Sequence, residues 1–101
     1  MTKTEIKALA NYIWNSMRNI DEDDYNYYEK FNALLNEVIY DAKSLEELSV
    51  IASEVNHTIL VYTDENETPV DVDFCDASLE VDYVDNWEWD GDDIIVGVFL
   101  K

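Results

Sequence analysis

The regular mixing of acidic and apolar residues between Asp64 and Asp93 constrains this chain more than any other feature. The stretch holds thirteen of the 24 acidic residues of the chain and no basic residue. Its acids are separated by valine, leucine, tyrosine, phenylalanine and tryptophan, in places in strict alternation. Such alternation is typical of strands that bury one face and expose the other. We therefore expect a folded sheet with a carboxylate-covered surface, and not a disordered acidic tail.

Net charge is the second constraint. The chain carries six basic and 24 acidic residues, a formal net charge of −18, and it has no Lys or Arg between Lys43 and Lys101. Self-repulsion on this scale destabilises the compact state, and solubility requires a net charge of only about 2–8. The excess indicates a halophilic surface, a surface that attracts metal ions, or a basic protein partner. Nucleic acid and anionic membrane would be repelled, so we expect neither as a direct partner.

The first half of the chain has helical periodicity. Apolar residues recur at three- and four-residue spacing, which predicts helices over Lys3–Ile20, Tyr25–Ala42 and Leu45–Val55. Thr2 and Ser44 each begin a capping box, and Asn56 suits a left-handed helix end. The expected buried stripes of the first two helices include the aromatic residues Trp14, Tyr25 and Tyr28.

The second half has the period of strands. The predicted strand segments are Thr58–Tyr62, Val70–Phe74, Leu79–Tyr83, Trp87–Trp89 after a kink at Asp85-Asn86, and Ile94–Leu100. A polar turn over Asp64–Pro69 separates the first two segments, and Asp90-Gly91 favours a hairpin. Gly97 indicates a central strand or a bulge.

Helices followed by strands define an α+β fold. We expect two to three N-terminal helices packed on one face of a C-terminal antiparallel sheet of about four strands. The chain is predicted to be a single domain, with a helical part over residues 1–56 and a sheet part with an acidic face over residues 57–101.

Catalytic and metal-binding chemistry is poorly represented. The chain has a single histidine, His57, a single cysteine, Cys75, and two glycines. These counts exclude an ordinary structural zinc site and a glycine-rich phosphate loop, and they favour structural roles for His57 and Cys75 over catalysis. An EF-hand register beginning at Asn86 would place Gly97 where the bidentate glutamate must stand. A glycosidase pair would lack a basic residue to orient the substrate. We therefore predict neither an enzyme nor a cofactor, and leave open loose surface binding of divalent ions near Asp90, Asp92 and Asp93.

The expected partner-binding surface consists of carboxylates on the predicted strands. Residues two apart on a strand share a face, about 6.6 Å apart, so neighbouring strands would align such pairs in rows. The pairs are Asp71/Asp73, Glu80/Asp82 and Glu88/Asp90. The full predicted set is Asp71, Asp73, Asp76, Glu80, Asp82, Asp85, Glu88, Asp90, Asp92 and Asp93. A secondary contact is predicted at Asp21, Glu22, Asp23 and Asp24, which also suit a connector whose last residue caps the second helix.

In size, charge and predicted architecture, the whole chain resembles the small acidic DNA-mimic inhibitors of phages and mobile elements. These include anti-CRISPR and antirestriction proteins and uracil-DNA glycosylase inhibitors. The resemblance is clearest in the acidic stretch and assigns no role to any single residue. It implies a non-catalytic inhibitor that occupies the basic nucleic-acid groove of a CRISPR effector or restriction enzyme.

Two other functions fit the same sequence. An immunity protein that neutralises a basic nuclease toxin would use the same electrostatics, and a halophilic or housekeeping domain would need no partner. The single cysteine allows no internal disulfide, and neither a signal peptide nor a membrane helix is predicted. We expect a monomer or homodimer in the cytoplasm, which is the host cytoplasm if a phage encodes the chain.

Overall fold

The computed structural model describes residues 2–63 and 67–101, and it confirms the α+β fold. Three helices precede four strands in the described residues. The elements are α1 (Lys3–Arg18), α2 (Tyr27–Tyr40), α3 (Leu45–Val55), β1 (Ile59–Thr63), β2 (Val70–Asp71), a 3-10 turn (Val72–Phe74), β3 (Val81–Asp90) and β4 (Asp93–Leu100). The predicted polar turn Asp64–Pro69 lies partly outside the described residues.

The four strands form a mixed sheet in the order β2-β1-β4-β3. The pairs β1–β2 and β3–β4 are antiparallel, whereas β1 and β4 run parallel. The prediction of a wholly antiparallel sheet was therefore wrong. It was based on connection length, which constrains consecutive strands but not β1 and β4. The chain leaves β2 at one edge, enters β3 at the other edge, and returns between them as β4.

The core lies between the helices and one face of this sheet. Ile59 and Val61 of β1 alternate with exposed-face residues, and Ile94, Val96 and Val98 of β4 do the same. The third helix contributes Leu48 and Ile51, both fully buried. The helices therefore cover one face of the sheet, and none of the three helices lies on the opposite face.

The predicted end residues of α1 and α3 are confirmed: Thr2 and Ser44 at the N-termini and Asn56 at the C-terminus of α3. The Oγ1 of Thr2 accepts a hydrogen bond from the Glu5 backbone N–H, and the Oγ of Ser44 accepts one from the Glu47 N–H. These bonds satisfy amides that have no partner within the first turn of a helix. Asn56 closes α3 in the left-handed conformation, with a φ of 57°.

Three aromatic residues that were predicted to be buried are exposed. Trp14 is 57% exposed, because α1 lies at the margin of the helical layer and only Ile13 of that helix is fully buried. Tyr25 and Tyr28 are 99% and 76% exposed. The second helix begins at Tyr27, whose ring stacks on Phe31 with the ring centroids 6.0 Å apart.

A tyrosine crosses the open face of the sheet over a glycine. Tyr62 of β1 pairs in register with Gly97 of β4, which in turn pairs with Asn86 of β3. Residues paired in this way share a face, and the Tyr62 hydroxyl donates a hydrogen bond of 2.9 Å to the Asn86 side-chain oxygen. A Cβ at Gly97 would lie 2.7 Å from the Tyr62 ring. The absence of a side chain at Gly97 therefore allows β1 and β3 to be joined across the strand between them.

The third strand forms one edge of the sheet and is bulged twice. The register with β4 shifts between Val81 and Tyr83, and again between Val84 and Asn86. The extra residue at each shift is an aspartate, Asp82 or Asp85, and both are exposed. The second shift confirms the predicted kink. Bulges and charges on an edge strand oppose pairing with another chain.

Candidate acidic binding surface

Six carboxylates follow the edge strand β3 and its flanking residues. We call this set the acidic edge: Glu80, Asp82, Asp85, Glu88, Asp90 and Asp92, all of them exposed. At about 3.3 Å per residue, β3 alone extends these charges over roughly 30 Å. Because β3 lies at the edge of the sheet, no strand on its outer side carries side chains that would neighbour these carboxylates within the described residues.

The carboxylates of the acidic edge are uncompensated. In residues 2–63 and 67–101, the single ion pair is the 2.6 Å contact between Lys30 and Asp24, far from β3 along the chain. None of the six carboxylates accepts a hydrogen bond within those residues. Within the described part of the chain, the surface therefore offers charge that no intramolecular hydrogen bond or ion pair uses.

The predicted rows of carboxylate pairs do not form. Only Glu88 and Asp90 lie on one face of a strand without an intervening register shift, beside Ile95 and Asp93 of β4. The Glu80/Asp82 pair is interrupted, because Glu80 bridges to Ser44 before β3 begins and Asp82 is the extra residue of a bulge. The strands β2 and β3 lie at opposite edges of the sheet, so their acids cannot align.

Asp71 and Asp73 hold a turn together and do not form a strand pair. The predicted strand Val70–Phe74 ends at Asp71, and Phe74 is 84% exposed. The Asp71 side chain accepts a hydrogen bond of 2.9 Å from the Asp73 N–H, which caps the 3-10 turn. Asp73 accepts a hydrogen bond of 2.6 Å from the Ser49 hydroxyl of α3. Both carboxylates therefore have structural partners, as short polar side chains in turns commonly do.

Other predicted contact residues also stabilise turns. Asp76 accepts hydrogen bonds from the hydroxyl and the N–H of Ser78, and these bonds hold the pKa of its carboxyl below the usual value. The hydrogen bond from Lys30, followed by that from the Asn26 N–H, lowers the pKa of Asp24. Asp24 was predicted to cap α2, but the capping position is Asn26.

The remaining predicted acids are accessible to different degrees. Asp21 accepts a hydrogen bond from the Asp23 N–H, whereas the side chains of Glu22 and Asp23 are exposed without such a contact in the described residues. Asp93 is half-buried opposite Asp90, which places two like charges in register next to the hairpin turn. Like charges in direct register destabilise a sheet by about 0.2–1 kcal/mol.

Two tryptophans anchor β3 to the helices. The indole N–H groups of Trp87 and Trp89 donate hydrogen bonds of 2.7 and 2.9 Å to the side-chain oxygens of Asn36 and Asn32 on α2. Four residues of helix span about 6 Å and two residues of strand about 6.6 Å, so the two spacings match. Sequence analysis missed this contact. The signal was a pair of asparagines, Asn32 and Asn36, spaced four residues apart and therefore on one side of α2.

His57 completes an aromatic cluster between α2 and the sheet. Its ring packs edge-on against Trp89 and Phe31, with ring centroids 5.1 and 5.9 Å apart. Its Nδ1 lies 2.9 Å from the carbonyl oxygen of Asp92, which fixes the β3–β4 turn against the end of α3. These contacts give His57 a packing role.

We expect Cys75 to be a slowly reacting thiol. Partial burial, and then the charge of Asp71, raise the pKa of Cys75, and its Sγ donates to the Asp71 carbonyl at 3.5 Å. Because the thiolate is the nucleophile, iodoacetamide at about pH 8 should alkylate the folded chain several-fold more slowly than the chain unfolded in guanidinium. Mass spectrometry of timed samples measures both rates. Equal rates would contradict the assigned environment.

Comparisons with known proteins give no relative. No family model, no curated protein and no solved structure matches this chain. Among the described residues, no three histidine, cysteine or acidic side chains converge to hold a metal ion. No helix in the same residues is long and apolar enough to cross a membrane.

Proposed function

We propose that this protein is a non-catalytic inhibitor that binds the basic nucleic-acid groove of a host defence enzyme. The target is a CRISPR effector or a restriction enzyme, and the acidic edge takes the place of a nucleic-acid backbone. The carboxylates would pair with the Lys and Arg side chains that otherwise hold phosphate, through charge-assisted hydrogen bonds. Binding of DNA by the enzyme is thereby blocked.

A single observation carries this proposal. The acidic edge presents six exposed carboxylates, four on β3 and one beyond each end of it, without a hydrogen bond or ion pair in the described part of the chain. Such an arrangement costs stability through repulsion, and a basic partner relieves that cost on binding. The hydrogen-bonded carboxylates of Asp71, Asp73 and Asp76 stabilise turns and contribute to the partner only through the general field.

Capture of the target is the direct test. The full chain, immobilised, is exposed to a lysate of the host, and the retained proteins are identified. The proposal requires a retained nucleic-acid-binding enzyme that loses DNA binding when the chain is added at equal concentration. A retained nuclease toxin whose gene adjoins that of this chain would instead support an immunity protein. Retention of only proteins that do not bind nucleic acid would contradict both functions.

Association with the target should be strongly dependent on salt. Steering by a net charge of −18 acts over the screening length, which falls below about 10 Å when salt rises above about 0.1 M. We expect the association rate constant to fall at least about tenfold between roughly 20 and 200 mM NaCl, with a smaller change in the dissociation rate constant. Surface plasmon resonance measures both. An association rate that does not vary with salt would remove the electrostatic basis of the proposal.

A further inference from the structure

The open face of the sheet is apolar and aromatic at its centre. Ile95, Gly97 and Phe99 of β4 lie on this face. Ile95 and Gly97 are in register with residues of β1 on one side and β3 on the other, and Phe99 is in register with Tyr83 of β3. Phe99 stacks on Tyr83 with ring centroids 4.6 Å apart and an interplanar angle of 17°. Tyr62 lies across Gly97 next to them. Half of the continuous apolar run of β4 therefore points away from the core.

Carboxylates surround this centre. A cavity of about 450 Å³ has Tyr62, Ile95, Gly97 and Phe99 in its lining, and it is bounded by Asp85 and Glu88 of β3 and by Glu67 beyond β1. The lining contains no basic residue. We call this site the open-face cleft. It shares Asp85 and Glu88 with the acidic edge, but it combines these carboxylates with aromatic rings that the other acids of the edge do not line.

We propose that the open-face cleft binds an arginine side chain of the partner. The proposal rests on the proposed function, since the basic partner supplies the arginine. A guanidinium group is planar, stacks on aromatic rings and pairs with carboxylates in a fixed geometry, so the aromatic lining and the Asp85 and Glu88 walls match it. An ammonium group uses the carboxylates but gains less from the rings.

Charge complementarity selects this occupant over others. A second copy of the chain would bring another acid-lined face, and another net charge of −18, against the first. Nucleic acid and anionic lipid carry the same sign of charge as the cleft walls. A neutral apolar segment would fill the centre but leave the carboxylates of Asp85 and Glu88 without a partner when water is excluded, which is unfavourable.

Peptides test the assignment without the enzyme. The full-length chain, carrying ¹³C-labelled methyl and aromatic groups, is titrated with a short acetylated Gly-Arg-Gly-Arg-Gly peptide and with its lysine counterpart, and followed by NMR. We expect the signals of Tyr62, Ile95 and Phe99 to shift, while that of the fully buried Ile13 stays in place. The arginine peptide should bind at least about threefold more tightly than the lysine peptide. Equal affinities would overturn the assignment to arginine.

Charge-matched variants separate the cleft from the general field. The variant Asp85→Asn/Glu88→Gln should bind the arginine peptide about tenfold more weakly than the unchanged protein. The control variant Asp41→Asn/Glu54→Gln has the same net charge, and its affinity for the peptide should fall by less than about twofold. An equal loss in both variants would overturn the proposal. So would concentration-dependent shifts of the same signals without peptide, since they would identify a second copy as the occupant.

The proposed function and this inference can fail separately. If the chain captures a DNA-binding enzyme in a salt-dependent manner but the arginine peptide leaves the signals of Tyr62 and Phe99 unchanged, the cleft assignment is wrong and the function stands. If the peptide binds in the cleft but no nucleic-acid-binding enzyme is retained, the cleft assignment is supported and the proposed function is wrong.

Discussion

A variant lacking four charges of the acidic edge should bind its partner at least about 30-fold more weakly and yet unfold at a higher temperature. The substitutions are Glu80→Gln, Asp82→Asn, Asp85→Asn and Glu88→Gln. Each removes one exposed ion pair with the partner, worth about 0.5–1 kcal/mol, so four together amount to roughly 2–4 kcal/mol. The same four changes relieve repulsion in the free protein. About 1 kcal/mol of relief corresponds to a rise of about 4–8 °C in Tm.

The loss of affinity and the gain in Tm have opposite signs, so general unfolding of the variant cannot explain both. Calorimetry gives the affinity for the captured enzyme, and thermal unfolding followed by circular dichroism gives Tm. A control with the same net charge uses four acids on or beside the helices: Glu29→Gln, Asp41→Asn, Glu46→Gln and Glu54→Gln. We expect the control to keep its affinity within about threefold. If both variants lose affinity equally, the acidic edge is not the contact surface. Asp71 and Asp73 are left unchanged because their carboxylates hold a turn.

Replacement of Gly97 by alanine should destabilise the fold by about 1–3 kcal/mol. The new Cβ would lie 2.7 Å from the Cζ and hydroxyl oxygen of Tyr62 and 3.0 Å from the Asn86 side-chain oxygen. The Tyr62 ring must therefore leave its position, and its hydrogen bond to Asn86 is lost with it. At about 4–8 °C per kcal/mol, Tm should fall by at least about 4 °C.

A double-mutant cycle shows whether the ring is the cause. In a Tyr62→Ala background, the same Gly97→Ala change should be neutral or stabilising by about 0.5–1 kcal/mol, because alanine suits a strand interior better than glycine. Urea unfolding of the four proteins gives the coupling energy. An equal loss of stability in both backgrounds would mean that the backbone of β4 requires glycine at position 97, and that the Tyr62 ring lying over it does not.

The sequence predicted the three helices well because local rules determine them, whereas the predicted segments Val70–Phe74, Leu79–Tyr83 and Trp87–Trp89 differ from the strands Val70–Asp71 and Val81–Asp90. Thr2, Ser44 and Asn56 act at helix ends through contacts within a few residues, and each was placed correctly. The burial of helix faces depends instead on how much of each helix meets the sheet. The periodic stripe on α1 includes Trp14, yet only the part of that stripe near Ile13 reaches the core.

The sequence indicated which acidic residues form the candidate site, but not how they are arranged in space. The acids were identified from alternation alone, which assumes an unbroken strand. Bulges at Asp82 and Asp85 interrupt the alternation in β3, and the turn beginning at Asp71 interrupts it in β2. The order of the strands decides which acids are neighbours, and this order arises from long-range packing that a local pattern does not contain. One feature of the open face was visible in the sequence. The apolar run of β4 is nearly continuous, which indicates a strand whose two faces are both at least partly covered.

The position of β4 also affects when this protein can fold. Of the four described strands, β4 is synthesised after the other three, and it lies between β1 and β3, with Ile59 paired to Ile94 far along the chain. Until β4 has left the ribosome, β1 has only the two-residue β2 beside it, and the apolar side of α3 has no continuous sheet to cover. Closing so long a loop is slow compared with forming a helix or a hairpin. We therefore expect the core between the helices and the sheet to assemble only after β4 is available.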